Sequence, residues 1–321
     1  MTELAPKKFS LVGMLWASVA LASGSAFLFT LTGFLDRWWW MFDLTSHFRV
    51  QYAGMLLAST VIFALKRKIM LTVLCALFAL ANLVLVSSYF PVKQSRPRIE
   101  RSLRAVLINV RTENQRFDLV RNFVEDTQPD FVVLEEADAD WIVQLASLTN
   151  DYPHAVLKPR EDNFGIALFS KLPFLSSDIV FLGDAEVPSI VASFRIDGRE
   201  LTLLATHPVP PGNREYVELR NGQLAAIPSF LANLPGAKAV LGDLNVTPWC
   251  YQFRKLLSET GLEDSSRHRG IHATWPTHLL PLRIPIDHCL LSTELETVRK
   301  EVGPYVGSDH FPLLVEFGFA R

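Results

Sequence analysis

The chain has 321 residues, 49% of them hydrophobic, with a net charge of −2 and an isoelectric point near 6.5. These averages conceal two unlike parts: residues 1–104 carry twelve Lys/Arg against four Asp/Glu, a net of +8, and residues 105–321 carry nineteen against twenty-nine, a net of −10. An acidic globular part excludes bulk electrostatic capture of a phosphate backbone, so a polyanionic substrate there needs metal ions or local cations. The three cysteines, Cys75, Cys250 and Cys289, lack metal-binding spacing. At most one disulfide joins the last two, and a pair of buried free thiols is the simpler expectation.

Three charge-free stretches open the chain: Phe9–Leu35 with 27 residues, Val50–Leu65 with 16 and Ile69–Val92 with 24. A membrane span needs about 20 apolar residues at about 1.5 Å each. The first and third qualify directly. The second does so if Leu44–Phe48 extends it and Arg49 snorkels towards headgroups. Trp38, Trp39 and Trp40 follow the first stretch, where amphipathic rings favour the interface. A cleaved signal peptide, with Lys7-Lys8 as its basic region and Gly24-Ser25-Ala26 as its cleavage site, fits less well, because the apolar run continues to Leu35 and two more follow.

The expectation is a three-helix transmembrane anchor over residues 1–92, with spans at about 9–35, 46–65 and 69–92. A lipid bilayer is thereby the anchor's partner. The basic turn Lys66-Arg67-Lys68 and Lys7-Lys8 place both of those segments in the cytoplasm and the globular part outside. Lys93, Arg96, Arg98, Arg101 and Arg104 pull the other way, but long domains translocate regardless of flanking charge. The chain is thus read as an integral membrane protein with an extracytoplasmic domain.

Residues 93–103, basic and proline-containing, read as a linker to a domain at 104–321. Short β-branched runs at Ala105–Val110 and Phe131–Leu134 have the character of buried strands. Between them, Phe117, Val120, Phe123 and Val124 have helical spacing over Arg116–Thr127, with Asn114 as a cap. Asp138 caps a further helix through Leu148. Phe164–Phe169, Ile190–Ile196 and Leu201–Thr206 read as strands, the last two joined by an Asp197-Gly198 turn. Asn213–Leu234 reads as a helix that Pro228 should kink or divide. Ala239–Leu241, Ile286–Leu291 and Phe311–Phe317 complete the strands. Mixed βαβ units and hairpins predict an α/β domain, a two-sheet sandwich flanked by helices.

Polar residues recur at the ends of these strands: Asn109, Glu136, His207, Asp243 with Asn245, Asp287, and Asp309-His310. One such residue is ordinarily a turn former. A series of them at one sheet edge can form a site. The surrounding motifs resemble, in order, those of the endonuclease/exonuclease/phosphatase superfamily, of exonuclease III and deoxyribonuclease I-like type, here in a membrane-anchored bacterial form. They are PDFVVLEE (129–136), GIALFSKLP (165–173), ATH (205–207), GDLN (242–245), IDH (286–288) and SDHFP (308–312).

The resemblance implies a metal-dependent phosphoric ester hydrolase, working by in-line attack of water without a covalent intermediate. Glu136 resembles the principal Mg2+ ligand, with Asn109 and Asp309 beside the same ion and Mn2+ as a substitute. Asp243 is implied to orient or deprotonate the water, and Asn245 to hold a phosphate oxygen. Asp287 and His310 resemble a carboxylate–imidazole dyad, and His207 a second phosphate-contacting histidine; His288 reads as structural. Two departures stand out: Arg111 where many of the nucleases carry an acid, and Glu135 where glutamine is usual. Both weigh against a second metal contact. Arg111 is a candidate for an anionic group of the substrate, and Trp275 and Trp249 are candidates for aromatic platforms at the rim.

The expected substrate is a phosphoester: a lipid headgroup, a small molecule or a nucleic acid. A tether favours targets near the bilayer. An anchored nuclease and a catalytically inactive ligand-binding domain are the alternatives, separated by the salt dependence of DNA binding and by turnover. Nothing in the sequence identifies a protein partner.

Overall fold

The computed structural model describes residues 11–93 and 99–321. Phe9, Lys7-Lys8 and the linker residues Arg96 and Arg98 lie outside the described residues. The chain forms two compact units, Met1–Ser87 and Ser88–Arg321.

The first unit is helical: α1 Leu11–Thr32, α2 Trp40–Ser46, α3 Arg49–Leu65 and α4 Ile69–Val86. Two segments, Gly13–Thr32 and Ile69–Tyr89, are long and apolar enough to cross a membrane, and α2 with α3 makes a third only if the pair, bent by 64°, counts as one span. Arg49, expected to snorkel outward, is instead buried. Its guanidinium donates to the Thr30 carbonyl at 2.9 Å and to Asn82 Oδ1 at 3.4 Å, and Asn82 Nδ2 donates to Thr30 Oγ1 at 2.8 Å. Internal partners for a charge cost less than dragging the side chain out of the packed interior. The middle stretch is therefore broken before Arg49 rather than extended straight through it.

The second unit holds two six-stranded mixed sheets. The first runs in the order β11 (Leu295–Val302), β12 (Leu313–Phe319), β1 (Leu103–Asn109), β2 (Phe131–Glu135), β4 (Ile166–Ser170), β3 (His154–Lys158). The second runs β5 (Phe174–Phe181), β6 (Pro188–Ile196), β7 (Arg199–Thr206), β8 (Ala237–Asp243), β10 (Asp287–Leu291), β9 (Glu263–Asp264). Among the described residues only β1–β2 and β7–β8 pair in parallel. The expected Asp197-Gly198 turn joins β6 to β7 with both residues at positive φ (49° and 85°), matching the twist of a tight hairpin.

Strand alternation sorts the core into three layers. From β1, Leu103, Ala105 and Leu107 face the opposite sheet with Phe131, Val133, Phe194, Leu203 and Leu241. Val106 and Ile108 face outward, covered by Val120 and Val124 of α5 (Phe117–Thr127) and Trp141 of α6 (Ala139–Gln144). Leu204 and Val240 lie under α7 (Arg214–Ala232) and α8 (Tyr251–Thr260). The domain is the expected sandwich with helices on both outer faces. Cys75, Cys250 and Cys289 are buried and form no disulfide among the described residues.

Local caps follow the sequence in part. Asp138 Oδ1 accepts from the Trp141 amide and Asn213 Oδ1 from the Tyr216 amide, each at 2.9 Å. Asn114 does not cap α5, whose N-cap is Arg116. Its amide nitrogen instead donates to the Val110 and Val306 carbonyls, tying two loops together. Pro228 does not divide α7. Leu224, Ile227 and Leu231 are buried on its inner face, and that packing outweighs the one backbone bond a proline removes.

Phe194 sits between Phe131 and Phe174, with ring centroids 4.8 and 5.4 Å away, where the two sheets meet. Phe194→Ala should cost about 3–5 kcal/mol of unfolding free energy. Urea titration of residues 88–321 measures it, and a loss below 1 kcal/mol would contradict the assigned inter-sheet core.

Candidate active site

Strand direction brings the sequence-predicted residues together. β1, β2, β7 and β8 end at one edge of the sandwich. β10 runs antiparallel to β8, so its first residue, Asp287, pairs with the last of β8, Asp243. β12 runs antiparallel to β1 with Leu313 opposite Leu107, which carries Ser308–His310 back to Asn109. Ser308 fixes that crossing: its Oγ donates to the Asn109 carbonyl at 2.7 Å and accepts from the His310 amide at 3.0 Å. Gly242 is required where β7 and β8 approach, because a Cβ there would lie 1.8 Å from the Thr206 carbonyl oxygen.

One side of the edge is an oxygen cluster. Asn109 Nδ2 donates to Glu136 Oε1 at 2.8 Å, and Asn109 Oδ1 accepts from the Arg111 amide at 3.1 Å. Trp275 Nε1 donates to Asp309 Oδ2 at 3.0 Å. Burial raises the proton affinity of Glu136, and the nearby Asp309 charge adds to it. Two carboxylates held close by neutral donors, with an amide beside them, form the hard oxygen set that Mg2+ or Mn2+ accepts. Glu136, Arg111 and Asn245 all have positive φ (58°, 59° and 52°), a conformation that only asparagine among them adopts readily.

The other side holds the buried imidazoles. His310 Nδ1 is 2.9 Å from Asp287 Oδ2, and its Nε2 is 3.5 Å from Asp243 Oδ2. Burial would lower the pKa of His310, but Asp287 and Asp243 outweigh it and push it up to about 10, so it is a cation at neutral pH. Burial opposes ionisation of Asp287 too, yet His310 holds that carboxyl below its usual range. Asp243 goes the opposite way: burial, reinforced by Asp287, raises it. His207 Nε2 lies 3.8 Å from Asp243 Oδ2. Burial and the His310 charge depress His207 to about 3, which keeps it neutral, and its Nδ1 is buried without a hydrogen-bond partner. Asp243, Asp287 and His310 also present ligand atoms within 4.8 Å of one another. Within that trio, Asp287 and His310 are joined directly by the 2.9 Å bond.

Asn245 Oδ1 and Nδ2 sit on a loop pinned from behind. Its amide nitrogen donates to the Pro208 carbonyl at 2.9 Å, its backbone N–H to Asp243 Oδ1 at 3.0 Å, and its carbonyl accepts from Arg220 Nη1 at 3.1 Å. Arg111 borders the cluster within electrostatic reach of Asp309 and Glu136, while its Nε bonds exposed Glu113 at 3.2 Å. Trp275 stands 6.4 Å from the His310 ring and is half-buried. Trp249 does not rim the site: it is 2% exposed, packed under the loop as an inner-layer residue. His288 is buried, its Nε2 2.8 Å from the Val246 carbonyl.

Sequence reasoning missed the position of Glu135. Its Oε2 accepts the Asp243 N–H at 3.0 Å, bridging the two sheets, and burial holds its carboxyl well above the usual range. A neutral acid keeps a donor and an acceptor, as an amide does. The signal available was its place beside Glu136 at the end of an otherwise apolar strand.

Comparisons with known proteins bear on this geometry. Residues 106–310, more than half of the chain, match the model of the Endonuclease/Exonuclease/phosphatase family. The fold is similar to that of an endonuclease/exonuclease/phosphatase from Bacteroides vulgatus, with TM-score 0.59, 20% identity, and coverage of 68% of this chain and 100% of that one. It is also similar to the human nocturnin catalytic domain (TM-score 0.57, 19% identity, 69% and 96% covered). The third is sphingomyelinase C from Streptomyces griseocarneus (TM-score 0.51, 17% identity, 68% and 99% covered). A comparison with curated protein sequences returns no match. At these identities the structures establish the fold, while the family model, over the residues that carry the site, establishes that the chain belongs to the endonuclease/exonuclease/phosphatase family.

Proposed function

We propose that the second unit is a divalent-metal-dependent phosphoester hydrolase, held at a membrane by the N-terminal helices, acting on a phosphodiester or phosphomonoester near the bilayer. Its strongest support is the meeting, at one sandwich edge, of a protonated dyad, Asp287–His310, with a buried carboxylate, Asp243, beside the Asn109–Glu136–Asp309 oxygen cluster. Members of the family are phosphoester hydrolases, and the relatives named above include a sphingomyelinase.

The chain's own groups divide the work of in-line hydrolysis. Asp243, whose proton affinity is raised, orients a water and takes its proton as the oxygen approaches phosphorus. His310, kept cationic by Asp287, faces the charge that develops on the non-bridging oxygens. Asn245 uses one amide N–H on Pro208 and offers the second to a phosphate oxygen. His207, neutral and with an unpaired nitrogen, supplies a further contact. Glu136, Asn109 and Asp309 would hold Mg2+ or Mn2+, which supplies Lewis-acid charge when bound. Trp275 keeps Asp309 oriented and presents a ring to the leaving group. Arg111 contributes positive potential at the mouth.

Asp243→Ala and His310→Ala should each lower kcat by at least about a thousandfold with the fold retained, and EDTA should abolish turnover of a generic phosphodiester. Near wild-type activity in both purified variants would remove these residues from the mechanism. Full activity after chelation would remove the metal.

His207 gives a stability prediction independent of turnover. Its native pKa lies below the unfolded value of about 6.5, so the unfolded chain binds the extra proton. Its contribution is complete above pH 6.5 and is lost as pH falls towards 3. Between pH 6 and 4, wild-type residues 88–321 should therefore lose up to about 1.4 kcal/mol per pH unit more than His207→Asn. Parallel urea titrations read the difference. Equal slopes would mean that His207 titrates normally in the native state.

A further inference from the structure

The catalytic loop Asp243–Trp249 is supported from below by residues that precede the domain expected from sequence. The second compact unit begins at Ser88, and Ser88–Val92 is already part of it. Both backbone groups of His268 clamp that segment: the His268 N–H donates to the Ser88 carbonyl at 2.8 Å, and its carbonyl accepts from the Val92 N–H at 3.0 Å. The clamp turns Tyr89 inward, where it is 7% exposed and meets Trp249 edge-on, with ring centroids 6.3 Å apart. The phenol lies beside the Asp264 carboxylate. Asp264 is fixed by the Ser266 N–H at 2.8 Å and by Lys300 Nζ at 3.5 Å, and lies 3.9 Å from His288 Nδ1. The far nitrogen of that imidazole, Nε2, holds the Val246 carbonyl at 2.8 Å, one residue beyond Asn245.

Two paths thus run from one tyrosine to the loop that carries Asp243 and Asn245: directly through the Trp249 ring, and through Asp264 and His288 to the Val246 carbonyl. We propose that Tyr89 is a positioning residue of the active site, and that Ser88–Val92 is a strap integral to the catalytic unit rather than the end of the anchor. The effect on rate rests on the hydrolase reading above; the effect on the loop does not. A residue that only filled space would lower stability throughout the unit. A positioning residue loosens the loop it touches and lowers the rate of the bound complex, because small displacements of reacting groups are costly.

The test uses the full chain in detergent micelles with Mg2+, comparing wild type, Tyr89→Ala and Tyr89→Phe. Two quantities are read: kcat and KM on a generic phosphodiester, and hydrogen exchange at the amides of 244–250 other than Pro248, with α5 as the internal control. Tyr89→Ala should speed exchange at 244–250 by about tenfold, leave α5 unchanged, and lower kcat by about tenfold with KM within about twofold. Tyr89→Phe, which keeps the ring on Trp249, should recover most of both. Unchanged exchange at 244–250, equal acceleration at α5, or faster loop exchange with unaltered kcat would each overturn the proposal. If the wild type turns over no phosphoester, the hydrolase reading fails, and the exchange measurement alone decides whether the strap holds the loop.

Discussion

The contact on which the polar edge of the sandwich depends is the 2.9 Å bond between the Asp287 carboxylate and His310 Nδ1. It joins the two sheets' contributions, Asp287 at the start of β10 and His310 just before β12. Buried charges are tolerable only when paired, so the bond fixes both the place and the charge of the imidazole. Burial, reinforced by the His310 charge, keeps His207 neutral. The pairing fixes the charge of both its members, and the antiparallel register that makes it possible is a property of the whole sandwich.

The legible and illegible parts of the fold separate along one physical line. The eight strands read from the sequence are the eight interior strands of the two sheets; β3, β11, β5 and β9, unread, are the four edges. Interior strands are buried on both faces and appear as apolar runs. Edge strands bury half their residues or fewer, and carry the polar groups that discourage pairing with a neighbour, so His154–Lys158 and Phe174–Phe181 resemble loops. The helix Tyr251–Thr260 went unread beside them. The site was legible for the same reason as the interior strands, since a polar residue that ends an apolar run has few other places to go. The positioning contacts that cross the fold were not legible, because Glu135 meets Asp243, Ser308 meets Asn109 and Tyr89 meets Trp249 at separations of 108 residues or more.

The helical unit shows the same economy. Arg49, Asn82 and Thr30 come from three helices and satisfy one another inside a set of otherwise apolar contacts. Around them, Leu21, Val61, Leu77 and Leu80 face outward, a surface suited to lipid. A polar triad of this kind specifies helix register in a medium where apolar contacts alone do not discriminate. The break before Arg49 is the structural counterpart of placing that charge inside.

Glu136 and Arg111 occupy left-handed backbone that their side chains disfavour, at about 1 kcal/mol or more each. A domain of this size keeps a reserve of about 5–15 kcal/mol, so the edge spends an appreciable share of it. The interior strands have to be well packed for the mouth to be irregular. A lineage drifting towards greater rigidity would find its easiest gains at these two positions, and would lose the oxygen cluster in taking them. Backbone ease and the oxygen cluster are here rivals for the same few torsion angles.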